Sequence, residues 1–167
     1  MLHLYLLRHA KAVQGGAAMS DHARPLAERG WRQSAEIGSL LARQKPAPGV
    51  VLCSDAVRTR ETFEGLGIDL PQPAYSRHLY DLMDRDYLDP IKGVPDAAPI
   101  LLIGHNNAVA RTAGLLAASE ASRAYQQMTR KYVTAGLAVI AFDAATWAEI
   151  GPGRGRLLAY ETSSEDE

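Results

Sequence analysis

An arginine and a histidine stand side by side at Arg8-His9, directly after the apolar run Leu2-His3-Leu4-Tyr5-Leu6-Leu7. A neutral imidazole nitrogen can attack phosphorus and form a phosphohistidine, which divides one difficult transfer into two easier ones. The attacking nitrogen must be unprotonated, and neighbouring arginines disfavour the imidazolium and so lower its pKa. The same guanidinium groups can stabilise charge on the equatorial oxygens of a phosphoryl group in transfer. Arg58 falls in the first turn of a helix expected after the run Val50-Val51-Leu52-Cys53. There a cation faces the positive end of the helix dipole, at a cost of ~0.3–1 kcal/mol that a bound anion removes. His105 lies in the turn Gly104-His105-Asn106-Asn107 after the clearest apolar run, Ile100-Leu101-Leu102-Ile103, where it can donate to phosphoryl oxygens across a pocket. With two arginines to carry the electrostatic load, this chemistry calls for no metal and no cofactor.

A leaving group needs a proton. Asp81, in His78-Leu79-Tyr80-Asp81-Leu82, is the best acidic candidate, with Asp84 and Asp86 behind it. A good leaving group, such as the imidazole of a phosphorylated protein, needs that acid less.

Residues so far apart in sequence meet only if a fold gathers them. Apolar runs of strand length alternate with stretches of helical character, which predicts an α/β layered domain with a mostly parallel central sheet flanked by helices. In such sheets ligands bind beyond the carboxyl ends of the strands, where Arg8-His9, Ser54-Asp55 and His105 all fall. Pro25 and Glu28 mark a helix start, and Trp31, Ala35, Gly38 and Leu41, widened by Ile37 and Leu40, form its expected buried stripe. Ser54 or Asp55 can cap the next helix, which runs to about Leu66. Ala74-Tyr75-Ser76 is a short third strand, a brief helix is expected within 84–90, and a further helix runs from the His105 turn to about Ala118. Leu137–Phe142 and Arg156–Tyr160 complete the strands. The expected organisation is one domain over 1–161, with an acidic, frayed tail at 162–167.

The 167 residues suit one domain with a real core. Eighteen Lys and Arg against nineteen Asp and Glu argue against a general nucleic-acid binder, so any basic site must be local. One cysteine, Cys53, excludes an intramolecular disulfide and suits a reducing compartment. No run approaches the ~20 apolar residues that span a bilayer, and the apolar start lacks a preceding basic region. A soluble, cytoplasmic protein with no membrane partner is expected.

Several residues have plainer readings. Asp55 is read as a helix cap, His22 as an exposed residue of a mobile polar loop at 15–22, and His3 as a structural histidine. Cys53, Trp31 and Trp147 are read as packing residues. Asn106 and Asn107 can cap the helix after the His105 turn.

Taken in order, these segments resemble the histidine phosphatase superfamily, and within it the short SixA-like phosphohistidine phosphatase branch. Leu6-Leu7-Arg8-His9-Ala10-Lys11-Ala12 is similar to the family's Arg-His-Gly signature, with Ala10 in place of the glycine. Arg24-Pro25-Leu26-Ala27-Glu28-Arg29-Gly30 resembles that branch's Arg-Pro-Leu-Thr-x-x-Gly segment. Ser54, Arg58 and Thr62 match a Ser-x-x-x-Arg-x-x-x-Thr helix start, and Gly104-His105-Asn106 matches the second-histidine turn. The resemblance implies a phosphoglycerate mutase-like fold, His9 as the phosphorylated nucleophile, and Arg8, Arg58 and His105 as the rest of the phosphate pocket. It places Arg24 at the pocket rim, and Asn106 of the second-histidine turn as a further substrate-binding residue. The implied substrate is phosphohistidine in a protein, with a small phosphorylated metabolite as the alternative. A non-catalytic phosphate-binding regulatory module is the reading outside enzymes.

Overall fold

The computed structural model describes residues 1–165. Six strands form one sheet in the order β3-β2-β4-β1-β5-β6, with β1 at Leu2–Arg8, β2 at Val50–Ser54 and β3 at Ala74–Ser76. β4 spans Ile100–Gly104, β5 Leu137–Phe142 and β6 Gly155–Glu161. The neighbours from β3 to β1 are parallel, and only β5 runs against its partners, so the sheet is mostly parallel. The helices are α1 at Glu28–Ala42, α2 at Val57–Leu66, α3 at Arg77–Asp81, α4 at Leu88–Lys92, α5 at Ala108–Leu116 and α6 at Arg123–Arg130. A 3-10 turn at Asp21–Ala23 lies between β1 and α1. No helix among the described residues is long and apolar enough to cross a membrane.

The continuous apolar runs follow from cover on both faces of the sheet. In β1, Leu2, Leu4 and Leu6 join a core with Tyr87, Phe142 and Trp147 on one face. Tyr5 and Leu7 point to the other face and pack with Ile37, Leu41 and Cys53 under α1 and α2. Alternation along a pleated strand thus feeds two cores from one run.

The expected stripe of α1 is turned by part of a revolution. Gly30, Gln33, Ser34, Ile37, Gly38 and Leu41 are buried, whereas Trp31 and Ala35 are exposed. A hydrophobicity reading passes over Gln33, yet its amide is occupied: Oε1 accepts from the Lys11 amide at 2.8 Å, and Nε2 donates to Thr134 Oγ1 at 3.1 Å. Gly30 lets α1 start against the strand end, since a Cβ there would stand 2.1 Å from the Lys11 carbonyl oxygen.

Two further expectations change. α6 was not anticipated, because Met128 is its sole buried residue; Ser122 caps it by accepting from the Tyr125 amide at 3.1 Å. The tail is not frayed as far as Glu165. Ser163 is buried, Ser164 donates to Glu36, and the Glu165 carbonyl accepts from Arg29 Nε at 2.9 Å. Polar bonds to α1 replace the apolar anchors that the tail lacks. Residues 166 and 167 lie outside the described residues.

Candidate active site

The order β2-β4-β1 sets three strand ends side by side. Arg8 pairs with Gly104, the His9 amide donates to the Gly104 carbonyl at 2.9 Å, and Cys53 lies opposite Ile103. Residues separated by about fifty and a hundred positions therefore line one cavity of about 270 Å³, with Arg8, His9, Arg58 and His105 in its wall. His9, Arg58 and His105 are 9%, 2% and 1% exposed.

His9 Nδ1 lies 2.7 Å from the Ala10 carbonyl oxygen. A carbonyl only accepts, so Nδ1 carries the proton and Nε2 of the neutral ring keeps its lone pair. Burial first, then His105, Arg58 and Arg8, hold the His9 pKa well below the ordinary imidazole value, while the Ala10 bond opposes them. The arginines help, but burial is the larger cause. His105 is pushed down to about 3 by burial first and then by Arg58, with Asp21 opposing. The two imidazoles stand 5.4 Å apart between ring centres.

The backbone of His105 is held by Tyr87, whose hydroxyl accepts from the His105 amide and donates to the Leu79 carbonyl, both at 3.0 Å. Tyr87 fits because residue 104 has no side chain: a Cβ on Gly104 would lie 2.5 Å from the tyrosine ring. The ring of His105 is tied at Nε2 to Ser54 Oγ, 2.8 Å away, and its buried Nδ1 has no partner.

Arg58 meets a carboxylate from the loop after β1. Its Nη1 donates to the Asp21 carbonyl at 2.8 Å and its Nη2 to Asp21 Oδ2 at 3.0 Å. Asp21 Oδ2 also accepts from Tyr80 at 2.7 Å, and Oδ1 accepts from Arg24 Nε at 3.0 Å. Burial alone would raise the Asp21 carboxyl, but the Tyr80 hydroxyl, Arg58 and Arg24 hold it well below the ordinary carboxylate range. Arg24 lies at the rim with Nη1 on the Val13 carbonyl, and Asn106 lines the wall with Oδ1 buried and without a partner. Arg8 Nη1 donates to the Tyr132 carbonyl at 2.7 Å.

Asp81 is not among the residues lining this cavity. Its carboxylate sits on the exposed surface, paired with Arg77 at 3.2 Å one helical turn away, so its expected part as the proton donor is set aside. Asp55 does not cap α2, whose N-cap is Ala56; instead its Oδ1 binds His22 Nε2 at 2.7 Å. His22 is therefore half-buried and stacked edge-on against Tyr80. Sequence reasoning missed Asp21 as a cavity group and Tyr80 as the hydroxyl that holds it. An acidic residue in the polar loop beyond a strand end was the available signal for Asp21; Tyr80 had none.

One cavity thus gathers two buried histidines and two arginines, with Nδ1 of one histidine held on a backbone carbonyl. The histidine phosphatase superfamily (branch 1) matches residues 4–89. An uncharacterized protein of Mycobacterium tuberculosis is 34% identical over 157 residues, covering 92% of this chain and 98% of the relative. Among solved structures, a candidate phosphohistidine phosphatase SixA of Nakamurella multipartitia superposes with a TM-score of 0.83 at 31% identity over 97% of this chain and 96% of that one. Its counterpart from Agrobacterium tumefaciens gives 0.79 at 26% identity, over 96% and 97%. The chain belongs to the histidine phosphatase superfamily, and within it to the SixA-like phosphatases.

Proposed function

We propose that this chain removes phosphate from phosphohistidine in proteins by way of a phosphohistidine on its own His9. The lone pair of His9 Nε2 attacks phosphorus as the bond to the substrate imidazole breaks, and that ring, protonated on its other nitrogen, takes the electron pair and leaves as neutral imidazole. Water then attacks the same phosphorus, the P–Nε2 bond breaks, and phosphate and neutral His9 result. Arg8, Arg58 and His105 Nδ1 would bind the equatorial oxygens throughout.

The observation that carries this reading is the Ala10 carbonyl on His9 Nδ1, which presents Nε2 as the nucleophile. The substrate class follows from the acids. Asp21 is the one carboxyl lining the described cavity, and it is held ionised against Arg58. An alkoxide departing from a phosphomonoester needs a proton donor, whereas the imidazole of phosphohistidine is a better leaving group and suits a site without one. The SixA likeness points the same way. Quenching turnover without acid and mapping phosphate by mass spectrometry should find it on His9, and full turnover in His9→Ala would overturn the proposal. A substrate panel with a histidine-phosphorylated protein and sugar phosphates should favour the protein; faster sugar-phosphate hydrolysis would transfer the same chemistry to a metabolite.

A further inference from the structure

Beside the catalytic cavity a second depression, about 430 Å³, runs between α5 and α6 and shares Asn106 with the cavity wall. Its floor is shaped by small residues: a Cβ on Gly114 would meet nothing within 4 Å, and Ala110 lies one turn before it. Met128 and Tyr132, both buried, give it an apolar wall. Exposed Arg130 and Lys131 also line it. Arg130 also closes one end of a shallow surface with Arg123, Gln126 and Gln127 along the outer side of α6. Arg123 and Arg130, seven residues apart, lie on the same helix face.

None of Arg123, Arg130 and Lys131 takes part in an ion pair among the described residues, although the chain as a whole carries a net charge of -1. Uncompensated positive charge beside a phosphate-binding cavity raises the local concentration of an anionic partner and speeds its encounter. The groove offers no exposed aromatic face for base stacking, since Tyr132 is 3% exposed, and this disfavours single-stranded nucleic acid. A groove with an apolar wall, cationic side chains along it and glutamine amides beyond fits a polypeptide segment bearing carboxylates.

We infer that the α5–α6 groove docks an acidic segment of the substrate protein adjoining its phosphorylated histidine, with Arg123, Arg130 and Lys131 as the docking charges. The inference rests on the phosphohistidine-protein reading above and adds where that protein is held. Arg123 and Arg130 act on encounter and alignment, while the chemistry stays with the cavity.

The test compares the wild type with Arg123→Glu/Arg130→Glu on two substrates, p-nitrophenyl phosphate and a small acidic protein phosphorylated on histidine with phosphoramidate. The double variant should lose about tenfold or more in kcat/KM on the phosphoprotein at low salt and stay within about twofold of wild type on p-nitrophenyl phosphate. The gap should close toward 1 M salt, where the screening length falls to about 3 Å. Equal phosphoprotein turnover by both proteins, or a parallel loss on both substrates, overturns the docking inference. A second arm measures anisotropy of labelled decaglutamate, which must bind wild type and weaken in the variant. Wild type that cleaves p-nitrophenyl phosphate but not the phosphoprotein overturns the substrate reading, and the decaglutamate arm then judges the groove by itself. A ten-base oligodeoxynucleotide binding more tightly than decaglutamate overturns the inference in favour of nucleic acid.

Discussion

Ser54 Oγ lies 2.8 Å from His105 Nε2 and 3.3 Å from the Ala56 amide nitrogen. The amide must donate, so the serine hydroxyl already accepts once. Ser54 is wholly buried, and its own proton finds an acceptor only if Nε2 of His105 is unprotonated. The proton of neutral His105 then belongs on Nδ1, the buried ring nitrogen without a partner. Ser54 thus selects the tautomer that can donate to an anion in the cavity, as the Ala10 carbonyl selects the tautomer of His9 that can attack.

Ser54→Ala should therefore impair catalysis without touching substrate. The expected loss in kcat is about tenfold, since a mispositioned oxyanion donor costs of the order of 1–3 kcal/mol. The imidazole nitrogen NMR shifts of His105 should show Nδ1 losing its exclusive hold on the proton. Unchanged shifts together with unchanged kcat would remove Ser54 from the mechanism.

Asp21 occupies donors of Arg58 that an incoming phosphoryl group would use. Asp21→Asn removes a negative charge from the cavity and should tighten inhibition by inorganic phosphate or tungstate by about tenfold, a gain of about 1.4 kcal/mol. Weaker inhibition would mean that Asp21 serves chiefly to orient Arg58.

The histidine pKa values make stability depend on pH in a defined sense. His9 and His105 lie below the unfolded value of 6.5 in the folded chain, His105 at about 3. Above pH 6.5 both are neutral in either state and the stability is complete. As pH falls below that value the unfolded chain binds protons that the folded chain refuses. Stability should then drop, for His105 by about 1.4 kcal/mol per pH unit until about pH 3, with His9 acting in the same direction. Urea unfolding at pH 7, 6 and 5 measures this, and His105→Gln should lessen the slope by one histidine. A pH-independent midpoint in the wild type would contradict the neutral, buried pair.

Asp81→Asn tests the proton donor that sequence favoured. With its carboxylate on Arg77 at the surface, turnover of p-nitrophenyl phosphate should be unchanged and stability altered by no more than about 0.5 kcal/mol. A selective loss on substrates with poor leaving groups would return Asp81 to the reaction.

Much of the architecture was legible because buried strands in a mostly parallel sheet are apolar end to end, and β1, β2, β4 and β5 each stand out in the chain for that reason. The rule that ligands gather at carboxyl strand ends then led from those runs to Arg8, His9, Arg58 and His105. α6 escaped because a helix that buries only Met128 has no apolar stripe to read. The rotation of α1 escaped because Gln33 is buried by its amide bonds, which a hydrophobic period cannot register.

Sequence by itself determined the strands and the residue types at their ends, an imidazole and two guanidiniums among them, since these depend on local composition and order. Tertiary structure alone decided which acid meets the arginines, Asp21 rather than Asp81, and which nitrogen of each histidine carries the proton. Those outcomes depend on side-chain direction and on hydrogen bonds between distant segments, a few ångströms and tens of degrees that no spacing along the chain encodes.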